Sequence, residues 1–168
     1  MITFNTIILK ARTSAFYLWL LNSVSARTIP FNKPHQLRIT SLAQHRILVT
    51  GKYTRLNKNH LNSIHACLLA TLCEYCTGFL LITNFDSSQY RLILKTLKMD
   101  YVYQAKSNVY AMFEITDNYI NSIKTELKTK GVTETTCEIK IVDESQNHIC
   151  TGYITWQIKD WSKVKTKV

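Results

Sequence analysis

The sequence contains few of the residues that interrupt regular structure, with four glycines and two prolines in 168 residues. So few turn-forming residues leave little room for long loops, and they argue against a flexible linker or a second folded unit. No internal repeat or low-complexity tract is present. Because 46% of the residues are hydrophobic and 19% are charged, we expect a globular chain with a real apolar core.

Acidic residues are scarce as well, since 11 aspartates and glutamates stand against 21 lysines and arginines, for a net charge of +10. Such an excess favours an acidic partner: nucleic acid, an anionic membrane surface or a phosphate-rich small molecule. None of the common nucleic-acid-binding motifs is present in the sequence, so we expect no nucleic-acid partner. Peripheral contact with a membrane remains open as an additional role.

The five cysteines are an odd number, and three of them, Cys67, Cys73 and Cys76, lie in a long apolar stretch. Free buried thiols are typical of a reducing cytosol, so we expect a cytoplasmic protein. Cys73 and Cys76 could form a zinc site with His60 and His65. A second ligand pair at the usual spacing is missing, and we therefore predict no metal.

The most informative stretch covers residues 59–83, where polar turn-like residues lead into about five helical turns of nearly unbroken apolar sequence. This pattern predicts a buried central helix with Asn62 or Ser63 as its N-cap. A membrane span is the alternative, because about 20 apolar residues would suffice. The lone carboxylate Glu74 and two threonines interrupt the run, so the buried helix is favoured.

The N-terminal residues 4–24 also carry an apolar pattern typical of a helix, with Lys10 and Arg12 ahead of its most apolar part. Small residues follow, as they do in a signal peptide. Because the apolar run is short, we favour a helix packed on the rest of the chain. We accordingly divide the chain into a helical extension, residues 1–28, and a main domain, residues 29–168.

Alternating apolar residues predict a series of strands in the main domain. They cover residues 36–42, 46–53, 90–97, 100–103, 108–115, 134–142 and 148–158. A short amphipathic helix, capped by Thr116 or Asp117 and ended at Gly131, separates the last two from the others. Strands grouped after one long buried helix indicate an α+β fold in which an antiparallel sheet wraps around the helix.

The spacing within the central helix suggests a site. An aliphatic core face comprises Leu68, Leu72, Cys76 and Phe79, and a small polar stripe comprises Cys67, Thr71, Glu74 and Gly78. His65 lies nine residues before Glu74, on the opposite side of the helix and about 13.5 Å away along its axis. If both side chains serve one site, two copies must contribute, which predicts a homodimer with sites across its two-fold interface.

The start of this helix suits an anionic intermediate. Backbone N–H groups around Ala66 are expected to be unsatisfied, and they could polarise a thioester carbonyl and hold its oxyanion. A carboxylate from the facing subunit could then activate water or attack directly, with Asn59 orienting the water. Each residue also has a structural alternative: Asn59 could brace the loop, His65 could support the helix start, and Glu74 could be a buried structural acid.

Asn59, His65 and Glu74 keep a spacing that resembles the hotdog-fold acyl-CoA thioesterases of the phenylacetyl-CoA thioesterase type. In that family an Asn precedes a His by six residues, Gly-Gly follows the His, and an acid lies nine residues beyond it. The resemblance implies that the N–H of Ala66 is the oxyanion donor. Residues 98–106 are similar to the family's strand and turn, and the whole likeness covers about residues 30–160.

The N-terminal helix, the approach at residues 55–60 and the helix at residues 117–131 resemble a branch known as a thioesterase-like domain of unknown function. The resemblance implies a hotdog fold, in which a curved sheet wraps a long helix and two units pair into one continuous sheet. It also implies an acyl-CoA or acyl-carrier substrate and no cofactor, because coenzyme A is part of the substrate. We expect a homodimer or a tetramer.

The sequence departs from the family at several positions. Ala66 and Cys67 replace Gly-Gly, the acid is Glu74 where Asp is commoner, and Gln104 replaces a turn proline. Thr96 is the candidate for a Ser or Thr that some relatives carry on a neighbouring strand. We assign the substrate-binding residues as His60, Cys67, Thr71 and Thr96.

The resulting hypothesis is a thioesterase that uses carboxylate-assisted attack by water. In this scheme Glu74 is the base or nucleophile, Asn59 positions water, and His65 supports the loop or the thioester. The alternative is a non-catalytic protein that binds acyl-CoA or fatty acyl groups, which the loss of Gly-Gly favours. Hotdog dehydratases rank third, because their Gly- and Pro-rich approach to the helix is absent.

Overall fold

The computed structural model describes residues 3–165. In chain order the helices and strands are α1 (Phe4–Ala11), α2 (Ala15–Thr28), β1 (Arg38–Leu42), β2 (Arg46–Gly51), α3 (Ala66–Ile82), β3 (Tyr90–Tyr101), β4 (Val109–Glu114), α4 (Asp117–Lys130), β5 (Val132–Asp143) and β6 (His148–Asp160). Single turns of 3-10 helix occupy Pro30–Asn32, Arg55–Asn57 and Trp161–Lys163.

The six strands form one antiparallel sheet in the order β1-β2-β4-β5-β6-β3. The sheet curves around α3, which contacts every strand from β2 to β6. The prediction of an α+β fold with a central helix wrapped by a sheet is therefore confirmed. Among residues 3–165, no helix has both the length and the apolar character needed to cross a membrane.

The core lies between α3 and the concave face of the sheet. Leu72 and Cys76 of α3 are fully buried, and so are Ile139 and Ile154 on the facing strands, or nearly so. Full burial of one aliphatic side chain of this kind stabilises the fold by about 1.5–3 kcal/mol. The aliphatic face predicted for the helix is thus its contact with the sheet.

Gly78 lets α3 approach β6 closely. A Cβ at this position would lie 2.5 Å from the ring of Trp156, which occupies the space that a side chain would need. The indole Nε1 donates a hydrogen bond of 3.0 Å to Oγ1 of Thr77. A large buried aromatic is thereby packed on the helix backbone with its polar atom satisfied.

The N-terminal segment is helical, but it forms two helices rather than the single helix predicted for residues 4–24. The chain leaves the helix after Ala11, and α2 then continues to Thr28. Asn22 ties α2 to the edge of the sheet, since its Nδ2 donates to Ile39 O (2.9 Å) and its Oδ1 accepts from Ile39 N (2.8 Å). The division of the chain at residues 28 and 29 coincides with the end of α2 and, as a domain boundary, stays a prediction.

Local end signals were accurate for α4, which is capped by Thr116 and ended by Gly131 in a left-handed conformation (φ 70°). The two strands predicted for 90–97 and 100–103 are a single strand, β3, with a bulge between Leu94 and Thr96. The predicted break at residues 98–99 falls inside this continuous strand, which ends at Tyr101.

Candidate active site

The loop that leads into α3 is held by the buried side chain of Asn57. Its Nδ2 donates to His35 O (2.9 Å) and to Lys52 O (2.8 Å), and its backbone oxygen accepts from His65 N (2.8 Å). A buried amide with this many partners fixes the surrounding backbone. Asn57 therefore sets the position of His65 at the start of the helix, a role that the sequence analysis missed.

His65 is the N-cap of α3, so the prediction of Asn62 or Ser63 as the cap is wrong. The Nδ1 atom of His65 accepts a hydrogen bond of 3.1 Å from Cys67 N. In a neutral imidazole the proton then resides on Nε2, which makes that atom a donor. The exposed ring of His65 can therefore donate a hydrogen bond from Nε2.

Ala66 carries the one N–H group of the first helical turn that has no acceptor among residues 3–165. Cys67 N donates to the side chain of His65, and Leu68 N and Leu69 N both donate to the backbone oxygen of His65, at 3.0 and 3.3 Å. Ala66 is exposed. The helix start therefore presents a single free donor, at the residue predicted to hold an oxyanion.

Asn59 shapes the loop ahead of the helix. Its Oδ1 accepts from Leu61 N (2.9 Å), Ser63 N (3.2 Å) and Ser63 Oγ (3.1 Å). The bracing role that was considered as an alternative is therefore present in the structure. Its side-chain nitrogen makes no hydrogen bond within residues 3–165, so the amide can still act as a donor.

Glu74 lies on the side of α3 that faces away from the sheet. It shares this side with the exposed or half-buried Ala66, Cys67, Ala70 and Thr71. Glu74 is itself half-buried, and burial raises the pKa of its carboxyl group above the ordinary value. No hydrogen bond to the carboxylate is formed within the described residues, so the group is left accessible to a ligand or to a second chain.

The structure keeps Glu74 apart from His65 and Asn59 within one chain. Eight residues of helix, about 12 Å, also separate Glu74 from Ala66. One copy of the chain therefore brings together Asn59, His65 and Ala66 at the helix start, and leaves the acid two turns further along. Their assignment to one catalytic site stays a prediction.

Among the proposed substrate-binding residues, His60 and Cys67 are exposed close to the helix start. Thr71 Oγ1 donates to Cys67 O (2.8 Å), so its hydroxyl hydrogen is engaged by the helix itself. Thr96 pairs with Thr155 and is exposed, whereas its neighbour Leu97 packs against the core. Because side chains alternate along a strand, Thr96 points to the outer face of the sheet, away from α3.

Tyr101 is a residue of this region that the sequence analysis missed. From the end of β3 its hydroxyl donates to Ala66 O (3.0 Å), and burial is the main cause that raises its pKa. The turn after β3 adds a second link, since Ala105 O accepts from Ile64 N (2.8 Å). The edge strand and the following turn therefore hold the backbone on both sides of His65.

The cysteines of the central helix point into the core. Cys76 Sγ donates to Ala111 O (3.4 Å), Cys73 lies beside Cys150, and burial raises the pKa of the Cys76 thiol. His60 and His65 are exposed at the start of the helix. Within residues 3–165 no group of three or more His, Cys, Asp or Glu side chains is arranged to hold a metal ion.

Several solved structures share this architecture. PA5026 from Pseudomonas aeruginosa, described as a protein of unknown function and probable thioesterase, superposes with a TM-score of 0.79 at 24% identity, over 84% of this chain and 95% of that one. The thioesterase HI1161 from Haemophilus influenzae gives a TM-score of 0.69 at 12% identity, over 93% and 99% of the two chains. A variant of the thioesterase PA1618 from P. aeruginosa gives 0.68 at 13%, over 85% and 94%.

These likenesses and the curved sheet around α3 define a hotdog fold of the thioesterase-like kind. Residues 18–158 match the family model described as Domain of unknown function (DUF4442), and the chain belongs to that family. The predicted fold and the predicted resemblance to a thioesterase-like branch of unknown function are both confirmed. Comparison with proteins of curated function gives no match.

Proposed function

We propose that the protein is an acyl thioester hydrolase. The observation that carries the proposal is the free N–H of Ala66, the one unsatisfied donor in the first turn of α3, on an exposed surface. A donor of this kind stabilises the negative charge that develops on a carbonyl oxygen during acyl transfer. The half-buried Glu74 on the same side of α3 supplies a base, and its raised pKa strengthens it.

The reaction follows from these two groups. Glu74 takes a proton from water while the water oxygen attacks the thioester carbonyl, and the oxyanion accepts a hydrogen bond from Ala66 N–H. Collapse of this intermediate breaks the C–S bond, and the proton held by Glu74 passes to the departing thiolate. The products are a carboxylic acid and a thiol. Asn59 Nδ2 and His65 Nε2 are the further donors that position water or the carbonyl.

The distance between Glu74 and Ala66 requires that one site take residues from two copies. The edge strand β3 supports this arrangement, because Ile93, Leu94 and Tyr101 are 43%, 38% and 49% exposed and have no neighbouring strand on that side within residues 3–165. An edge strand with exposed apolar side chains offers its free N–H and C=O groups to a strand of another copy. We propose a two-fold dimer in which β3 strands pair and the exposed sides of α3 face each other.

Two features support a coenzyme A thioester as the substrate. Lys52, Arg55 and Lys58 lie in the loop before α3, where no acidic residue is nearby in sequence, and they suit phosphate groups. At the other end of α3, an apolar groove of about 410 Å³ is lined by residues that include Ile82 and Leu92. The groove offers room for part of an acyl chain.

One observation favours the alternative, a non-catalytic acyl-CoA-binding protein. The Oδ1 atom of Asn59 is engaged by three donors of its own loop, which leaves the residue fewer ways to position water. In this alternative the same helix start would bind the thioester carbonyl without turning it over.

Hydrolysis of a panel of acyl-CoAs, followed by release of free thiol, tests the proposal. We expect turnover in the parent, loss of turnover in Glu74→Gln and normal turnover in the matched control Glu138→Gln, whose side chain is exposed on the outer face of β5. Activity that persists in Glu74→Gln removes this residue from the mechanism. Absence of turnover, with acyl-CoA still raising the melting temperature, supports the binding protein instead.

A further inference from the structure

The exposed side of α2 carries aromatic residues where a surface helix usually carries polar ones. Phe16 and Trp19 are 62% and 61% exposed, and their rings lie 6.0 Å apart. These two residues form what we call the aromatic patch. Phe31, in the turn that follows α2, is also 67% exposed, but its ring neighbours His35. Adjacent exposed aromatic rings of this kind are a candidate interaction site.

The aromatic patch lies on one side of α2, opposite the side that packs on the domain. Phe16, Trp19 and Arg27 fall on one side of α2, whereas Leu21 and Ser25 fall on the other side and are buried against the domain. The buried side is therefore already satisfied by packing. The aromatic side faces outward, and no residue within 3–165 covers it.

The first 73 residues contain no acidic side chain, because Glu74 is the first carboxylate residue in the sequence. The basic residues of the same segment are Lys10, Arg12, Arg27, Lys33, Arg38, Arg46, Lys52, Arg55 and Lys58. Nearly all of the net charge of the chain therefore resides in its N-terminal part. This asymmetry is much stronger than the overall charge suggests.

Several of these cations lie beside the aromatic patch. Lys10 Nζ lies 4.9 Å from the centre of the Tyr17 ring, which itself contacts Phe16. Lys33 and Arg38 line the same groove, of about 440 Å³, as Trp19. Within residues 3–165, none of Lys10, Lys33 and Arg38 forms an ion pair with an acidic side chain.

We propose that the aromatic patch docks this protein on an anionic phospholipid surface. Aromatic side chains such as Trp19 favour the boundary between lipid headgroups and acyl chains, and the surrounding cations match the lipid phosphates. A second copy of this chain is a poorer occupant, because pairing two identical patches would bring their uncompensated cations together. The proposal goes beyond hydrolysis, since it concerns where the protein is held.

Vesicle co-sedimentation with the full chain tests this. We expect binding to vesicles of phosphatidylglycerol and phosphatidylcholine at low salt, weak binding to phosphatidylcholine alone, and loss of binding at high salt. The double variant Phe16→Ser/Trp19→Ser should bind about tenfold more weakly or worse. Lys33→Gln should weaken binding about fivefold at low salt. The control Met112→Ser removes a 46% exposed apolar residue on the outer face of the sheet and should bind normally.

Tryptophan quenching by brominated phospholipid checks the orientation. We expect quenching in the parent that is largely lost in Trp19→Phe, a variant that keeps its binding because an aromatic ring is retained. Equal binding to neutral and anionic vesicles, or normal binding by the double serine variant, overturns the proposal. If the double variant instead lowers the mass of the particle in sedimentation equilibrium, the patch is a contact between copies and the proposal also fails.

Discussion

The free N–H of Ala66 can be removed without touching any side chain of the site, by the substitution Ala66→Pro. Proline is favoured at the first position of a helix, where its missing N–H has no helical partner. It also requires an extended residue before it, and His65 already has φ −67° and ψ 137°. Because Ala66 is exposed and its N–H has no acceptor within residues 3–165, no hydrogen bond of the described structure is lost.

The expected effect on catalysis is large. Loss of one oxyanion donor lowers kcat by about 10²–10³-fold, or about 2.7–4 kcal/mol. The fold should be unaffected or slightly stabilised, since proline at a compatible position stabilises by about 0.4–1 kcal/mol. The variant thus separates chemistry from stability, which few substitutions at an active site can do.

The assay compares kcat on the best acyl-CoA with the melting temperature of each variant. Ala66→Gly is the matched control, because it keeps the N–H and only removes the Cβ. We expect the glycine variant to retain activity and the proline variant to lose it at an unchanged melting temperature. If the two variants hydrolyse acyl-CoA equally well, the backbone donor has no role and the oxyanion must be held elsewhere.

Four further outcomes follow from the structure. Burial raises the pKa of Glu74 above its unfolded value. The folded protein therefore loses stability as the pH rises from the unfolded pKa through the folded pKa, and Glu74→Gln should raise the melting temperature more at pH 7 than at about pH 4. Gly78→Ala should destabilise by about 1–3 kcal/mol in denaturant unfolding, because its Cβ would meet the Trp156 ring at 2.5 Å. Asn57→Ala should cost about 1–3 kcal/mol and reduce turnover, since it leaves buried groups of the loop unpaired. Leu94→Glu at the exposed edge should halve the particle mass in sedimentation equilibrium and abolish turnover with it.

Each of these outcomes has a result that would contradict it. An equal shift of the melting temperature at both pH values means that the Glu74 carboxyl group is not perturbed by burial. A neutral Gly78→Ala would show that the Trp156 ring moves aside freely. Full activity of Asn57→Ala would show that the loop before α3 has no role in catalysis. A parent protein that sediments as a monomer would contradict the proposed dimer.

Several features of this protein could be predicted from short stretches of its sequence. The α+β class, the buried helix and the extent of α4 follow from short-range signals: apolar periodicity, a Thr116 cap and a glycine at position 131. These signals act over three or four residues, so they survive without knowledge of the fold. The free N–H at Ala66 was predicted for the same reason, since every helix start leaves N–H groups unpaired.

Other features depend on contacts between segments that are distant in sequence. His65 became the cap because Asn57 holds the loop so that helix α3 begins at Ala66. Tyr101 contacts Ala66 and Thr96 points to the outer face of the sheet because the bulge in β3 and the pairing of β3 with β6 set the register of β3. Packing decides such matters since a register shift of one residue reverses every side chain along a strand.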